Sequence, residues 1–514
     1  MSKTLVVRNG TLIDGSGRPP ARNDAILIEG NRIKSVGALA PDVTLEDRRS
    51  VDVIDAGGQW IMPGLIDAHC HVSYGYPVIK GEGKGRGTTR PEFSTLKSAR
   101  SVQKVLRSGV TSISVPGGTW FTDVGVRDAT KLGLMQGPRM YVAGRMIVSY
   151  GCIEDDEPSW EGTPDHSVGK LCNTADEMVT EVRRQSKHGV NFIKMADSRS
   201  GESQMLAKEE ITAVVAEAHR RNLRVGIHSR GAGSTRAAAE AGVDWIIHAD
   251  LATDRDLDAV AKAGMPIIPT APFLAVVVEL GQKITAEQVQ LDINRMKRHF
   301  DLLCELMQKA RKLGIKLLVG TDTGNNSFTP HGELHAKELE IFVKYGGYTP
   351  MEAIVAATRD NAYAVGLEGQ VGELRPRQAC RPHRAQQGSC LRHHRAAGRQ
   401  ACFLGDQGRQ DHRSRPAQRN AHVPASGGIA EEPRTHRRRC CPFHAGERAA
   451  LFCNITDPSA PPVTPSPQSS PQMGRGSEAR LRHIPRAEQE RHAPTPPRAS
   501  RSRTLPGAGR PMQK

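Results

Sequence analysis

The chain has 514 residues, enough for one large catalytic core plus a smaller accessory unit, and its net charge of +16 would ordinarily point to a polyanionic partner. That charge is uneven: residues 375–514 carry 25 Arg and 1 Lys against 9 acidic residues, leaving 45 basic and 46 acidic residues in 1–374. The first part is therefore near-neutral, and nucleic-acid binding loses its main support.

Residues 1–60 read as a small β unit of short strands, TLVVRNG, TLIDGSG, AILIEGNRIKSVG and VDVIDAGGQ, punctuated by Asn-Gly and Gly-Asn turns. From Gly64 short β-branched runs alternate with helical stretches, the pattern of parallel βα units. Eight strands are predicted, at 65–72, 110–115, 139–145, 190–196, 223–228, 244–248, 265–270 and 316–322. Eight in succession predict an α/β fold of the (β/α)8 TIM-barrel type over 61–374. AKEEITAVVAEAHRRN has helical periodicity, and Thr349-Pro350-Met351-Glu352 combines an N-cap, an N1 proline and a capping-box glutamate. Two long connections, 149–173 and 271–292, are expected as substrate-covering loops at the C-terminal face of the barrel.

Cys70, Cys152, Cys172 and Cys304 precede the tail without a CxxC pair, which fits a reduced compartment. The N-terminus MSKTLVVRNG lacks the apolar core of a signal peptide, and no run of 18 apolar residues occurs. A soluble cytoplasmic protein without membrane partners is expected.

Six polar residues stand at or near the C-terminal ends of the predicted strands. His69 and His71 in DAHCHV are two apart on a strand, so both project to one face, as two ligands of one ion require. Lys194 closes the apolar run VNFIKM, where an unpaired ammonium is costly to bury. His228 ends VGIH, His248 ends WIIH and Asp322 ends LLVGTD. Singly, each is weak: core histidines, a lysine with a buried stem and a turn aspartate are all common. Together they converge on the face where barrel enzymes act, and imidazole and oxygen ligands in this number suit divalent ions such as zinc.

GLIDAHCHV, the lysine of FIKM, GIHSRGAGSTRAAAEAGVDWIIH, VGTDTG and the helix TPMEAIVAATRDNAYAVG make the segment 1–374 resemble the amidohydrolase superfamily, especially its prolidase-like and imidazolonepropionase-related branch. The resemblance implies two divalent metal ions, zinc foremost, with manganese or cobalt as alternatives. It places His69, His71 and Asp322 on one ion and His228 and His248 on the other, with Lys194 as a carbon dioxide-derived carbamate bridging both. It also implies that the N-terminal strands belong to a small β-sandwich domain. The implied activity is hydrolysis of a carbonyl–nitrogen bond by a metal-activated hydroxide, in an amide, dipeptide, N-acyl amino acid, urea or carbamate. Asp322 is the expected catalytic acid–base group. A mononuclear deaminase of the same superfamily would carry a glutamate soon after the third histidine, but His228 is followed by Ser-Arg-Gly. A non-catalytic scaffold relative would have lost ligands that are all present here.

His331, in NNSFTPHG, and Arg230, beside His228, are candidate substrate contacts, Arg230 if the small-molecule substrate bears a carboxylate. Assembly into a homo-oligomer is left open.

The tail 375–514 is rich in Arg, Pro and Ser, keeps no apolar periodicity, and has only Phe403, Phe443 and Phe452 as aromatic residues. It is expected to be disordered and to arise from a shifted reading frame. Arg377–Ser389 is encodable by codons that, read one base later, give Gly-Lys-Leu-Ala-Asp-Leu-Ile-Val-Leu-Asn-Lys-Asp, which resembles the family's ending. Sequencing the coding DNA around codon 376 is expected to show a single-base change that restores this coding; if none does, the frame-shift reading fails.

Overall fold

The computed structural model describes residues 4–37, 51–73, 90–155, 158–160, 167–231, 233–281, 287–325, 329–332, 334–376 and 401–404. The N-terminal strands β1 (Thr4–Leu12), β2 (Ala21–Glu29) and β3 (Arg32–Gly37) form an antiparallel meander, while β4 (Val51–Asp55) and β5 (Trp60–Pro63) pair parallel with the first and last parts of β1. Val7, Leu12, Ile26, Ile28, Ile33 and Ile61 form the core of this sheet, and Leu374 joins them. Asn9-Gly10, expected as a turn, is instead a bulge inside the continuous β1. Asn9 takes a left-handed φ of 60°, and a Cβ on Gly10 would lie 2.7 Å from the backbone oxygen of Gln59, so the close approach favours glycine.

The remainder is helices α1 to α10 and strands β6 to β14, beginning with β6 (Leu65–Asp67), α1 (Pro91–Arg107), β7 (Val110–Val115), α2 (Thr122–Lys131), β8 (Arg139–Val142), β9 (Met146–Val148) and β10 (Gly169–Leu171). It continues with α3 (Ala175–His188), β11 (Phe192–Ala196), α4 (Lys208–Arg220), β12 (Arg224–Ser229), α5 (Ser234–Ala241), β13 (Trp245–His248), α6 (Asp254–Ala263) and β14 (Ile267–Ile268). Then come α7 (Ala271–Gly281), α8 (Glu287–Lys312), α9 (Lys337–Lys344) and α10 (Pro350–Ala356). The strands form two parallel sheets, β6-β7-β8 and β10-β9-β11-β12-β13-β14. Every residue of β7 and β11 is buried, as expected of parallel strands covered on both faces. The Thr349–Glu352 capping box and the N1 proline of α10 are formed as expected.

Three predicted features are corrected. The segment 316–322 is not a strand: Leu317 makes an isolated parallel bridge to Ile267, and Thr323, just beyond the segment, makes another to Cys70. Its backbone leaves the extended region because the N–H groups of Thr321 and Asp322 both donate to His69 O (3.0 and 2.8 Å) and Asp322 has φ 54°. The segment 271–292 is largely helical: Pro272 sits at the second position of α7, where its missing N–H costs nothing, and an unbroken apolar run follows. The connection 149–173 contains β10. In the tail, where no regular element was expected, β15 (Ala401–Leu404) pairs parallel with β5; beyond Pro376 the rest of the tail, with its expected disorder and shifted frame, lies outside the described residues.

Asn361 ties the first and last segments together. Buried completely, it donates through Nδ2 to Ile66 O (2.5 Å) and Val319 O (2.6 Å), while its Oδ1 accepts from Val319 N (2.9 Å). Asn361→Ala leaves three buried backbone groups without these partners. It is expected to destabilise the protein by at least about 2 kcal/mol, measured by urea denaturation. A change below about 0.5 kcal/mol would show that water replaces these bonds.

Candidate active site

The ends of β6, β11, β12 and β13 and the 321–322 turn bring His69, His71, Lys194, His228, His248 and Asp322 to the wall of one cavity of about 180 Å³. All six are at most 5% exposed. Parallel register places Ala196 against His228 and Ser229 against His248, so the two histidines lie at nearly one level on neighbouring strands. Their ring centroids are 4.5 Å apart, those of His69 and His71 are 5.0 Å apart, and His69 and His248 are separated by 5.8 Å.

Asp322 Oδ1 lies 3.3 Å from His69 Nε2 and 3.1 Å from His71 Nε2, and these three side chains place their ligand atoms within 4.8 Å of one another. Burial pushes the Asp322 carboxyl up, but its interactions with His69 and His71 outweigh this and hold it well below the ordinary carboxylate range. Burial lowers the His69 pKa to about 4 despite the opposing pull of Asp322, and it holds His228 and His248 well below the usual imidazole value, with Arg230 adding to the effect. Lys194 is lowered to about 7 by burial, against a raising contribution from Asp322. A carboxylate beside two imidazoles, with His69 held unprotonated by burial, is a donor set that suits a divalent cation. Asp322 Oδ1, buried and without a hydrogen-bond partner of good geometry, is consistent with a cation taking a share of this cluster.

The neighbouring groups set the ring nitrogens. His228 Nε2 lies 3.1 Å from Ser198 O; since a carbonyl only accepts, Nε2 carries the hydrogen and Nδ1 keeps the lone pair. His248 Nδ1 lies 2.6 Å from Thr270 Oγ1, leaving Nε2 as its other nitrogen. Asp67 accepts from His69 N (2.9 Å) and Thr321 N (3.2 Å), and holds Thr321 Oγ1 and, at 2.7 Å, His335 Nδ1. His248, Thr270 and Asp322 all have left-handed φ values, between 54° and 76°, so the site stores backbone strain at three of its members.

Of the two proposed substrate contacts, Arg230 lines the cavity and His331 does not. His331 is buried, with Nε2 donating to His71 O at 2.6 Å, and a Cβ on Gly324 would lie 2.4 Å from that nitrogen. It supports the loop beneath a histidine of the site. Sequence reasoning missed Asp67, Thr270, Asp250 and His299. Asp67 and Asp250 each lie two residues from a singled-out histidine, a signal available in IDAHCH and IIHAD, whereas His299 in α8 had none.

The parallel α/β fold and this constellation of His, Lys and Asp are those of the amidohydrolase class. Residues 60–379 match the amidohydrolase family, and the chain belongs to it. It is 27% identical over 405 residues to ochratoxinase of Aspergillus niger, covering 73% of this chain and 79% of that protein. It is 23% identical over 393 residues to imidazolonepropionase of Acidiphilium cryptum, covering 70% and 88%. Among solved structures, a Xaa-Pro dipeptidase with bound methionine in the active site superposes with a TM-score of 0.64 at 24% identity, covering 73% of this chain and 92% of that one. The A. niger ochratoxinase structure superposes with a TM-score of 0.61 at 25% identity, covering 73% and 87%.

The buried histidines have a pH consequence. Unfolded His69 takes up a proton near 6.5, but folded His69 resists until about 4, so its contribution to stability is lost as pH falls through that window. Calorimetry of the chelator-treated protein is therefore expected to show a melting temperature that drops steadily from pH 6.5 to 4, with a shallower drop in His69→Asn. Equal slopes in the two proteins would count against a buried neutral His69.

Proposed function

We propose that this chain is a binuclear metal-dependent hydrolase that cleaves a carbonyl–nitrogen bond of a small molecule, with a carboxylated Lys194 between the two ion positions. The observation that carries this reading is that the six side chains line one cavity. Its nearly closed circuit of parallel pairings, from β6 through β14 to the bridges at Leu317 and Thr323, supports a (β/α)8 barrel, with the N-terminal sheet as the sandwich-type accessory domain. No helix among the described residues is long and apolar enough to cross a membrane, and the cysteines at 70, 152, 172 and 304 are unpaired, which supports a reduced, cytoplasmic setting.

His69, His71 and Asp322 would hold one ion and His228 and His248 the other. Divalent ions bound there would supply Lewis acidity, the chemistry that lowers the pKa of water and polarises a carbonyl. Lys194 is suited to carboxylation because burial makes its neutral amine, the form that attacks carbon dioxide, accessible near neutral pH. The carbamate removes an ammonium that would repel cations and provides two anionic oxygens. Asp322 takes the proton of the attacking water and passes it to the leaving nitrogen. The names of the relatives, ochratoxinase, imidazolonepropionase and Xaa-Pro dipeptidase, support amides, cyclic amides and dipeptides as the bond classes to screen.

A mononuclear site, as in a deaminase, is the second reading, because only His69, His71 and Asp322 form a compact three-ligand group among the described residues. Metal analysis with a hydrolysis screen of N-acyl amino acids, dipeptides and arylureas, with zinc, manganese or cobalt added, separates the two. Two ions per chain and C–N hydrolysis are expected. Lys194→Ala should lose most metal and activity, with partial rescue by short carboxylic acids, and Asp322→Asn should lower turnover by more than about a thousandfold. One ion per chain, or a fully active Lys194→Ala, defeats the binuclear reading.

A further inference from the structure

Just beyond the two metal-facing histidines, Arg230 follows His228 by two residues and Asp250 follows His248 by two, at the ends of the paired strands β12 and β13. Leu251 N donates to Arg230 O (2.8 Å), which keeps the two chain ends together past the ladder. Arg230 Nη1 donates to Asp250 Oδ2 at 2.8 Å, and His299 Nδ1 from α8 meets the same oxygen at 2.5 Å. The Asp250 side chain is fully buried, and those of Arg230 and His299 are 11% and 9% exposed. A single carboxylate oxygen thus fixes a guanidinium from the strand end and an imidazole from the covering helix.

Arg230 and His299 both line the cavity that holds the six site residues, and Asp250 does not. The charged lining outside those six is Arg199, Arg230, Arg295 and Glu154. The contact with Asp250 engages one of the five N–H donors of Arg230, and a planar guanidinium held in place can offer a two-pronged edge to a carboxylate. Phe273, Ile153, Met146 and Met296 supply apolar surface in the same cavity.

We infer that Arg230, held in place by Asp250 and His299, binds the carboxylate of the substrate and selects N-acyl derivatives of apolar amino acids, including dipeptides, over neutral ureas, carbamates and anilides. The inference rests on the C–N hydrolase reading and narrows its substrate class. Arg230 is the specificity-determining contact; Asp250 and His299 are positioning residues. Without Asp250 the guanidinium would lose its fixed direction, and a mobile arginine gives up much of the advantage of a preorganised fork.

The test compares kcat/KM for N-acetyl amino acids with that for their carboxamide counterparts, using metal-loaded full-length protein. The acids are expected to be preferred by about a hundredfold or more. Arg230→Met should bring this preference to within a few-fold of unity, Arg230→Lys should retain part of it, and Asp250→Asn should weaken it mainly through KM. Equal use of acids and carboxamides by the wild type, or a preference that survives Arg230→Met, overturns the inference while leaving the hydrolase reading intact. If no C–N bond is cleaved with any metal, that reading fails, and calorimetric titration with N-acetyl amino acids and their carboxamides decides the inference separately. Tighter binding of the acids, lost in Arg230→Met, supports it, and equal binding overturns it.

Discussion

The site depends on a buried carboxylate that is not one of the six site residues. Asp67 accepts from His69 N and Thr321 N and holds the Thr321 hydroxyl and the His335 ring, while His69 O receives two successive N–H groups from Thr321 and Asp322. This replaces the regular ladder between the first and last segments by a crossed set of bonds, and turns the chain so that His69, His71 and Asp322 face one another. A site carrying strain at Asp322, Thr270 and His248 persists only if its surroundings over-determine it. Asn361 from one side, and the His331 contact with His71 O from the other, supply that constraint.

Burial gives these groups their chemistry. An apolar interior disfavours protonated imidazole and ammonium, so His69, His228 and His248 stay unprotonated and Lys194 approaches neutrality, while contacts with His69 and His71 keep Asp322 ionised. The same packing puts two different arrangements on adjoining strands. At the ends of β12 and β13 His228 and His248 line the cavity, and two residues further on Arg230 and Asp250 form an ion pair.

Much of this was legible because parallel strands buried on both faces are nearly all apolar, so a lone His, Lys or Asp at the end of such a run stands out. His69, His71, Lys194, His228, His248 and Asp322 were found in that way. His331 was singled out only from its place in the loop after Asp322; its hydrogen-bond partner, His71 O, lies 260 residues away, and no local pattern encodes that contact. The segment 271–292 was taken for a loop because its continuous apolar run carries no helical period, and such a run cannot by itself be told from other buried structure.

The sequence alone determined the alternation of elements, the capping of α10, the order of the six polar residues along the chain and the family to which they point. These follow from local pattern: strand period, turn chemistry and the cost of burying charge. Tertiary structure decided which nitrogen of each histidine is engaged, that 316–322 curls instead of extending, that α7 and α8 wall the cavity, and that Arg230, Asp250 and His299 share one oxygen. Each is a contact between groups far apart in the chain, and no local propensity encodes a distance between them.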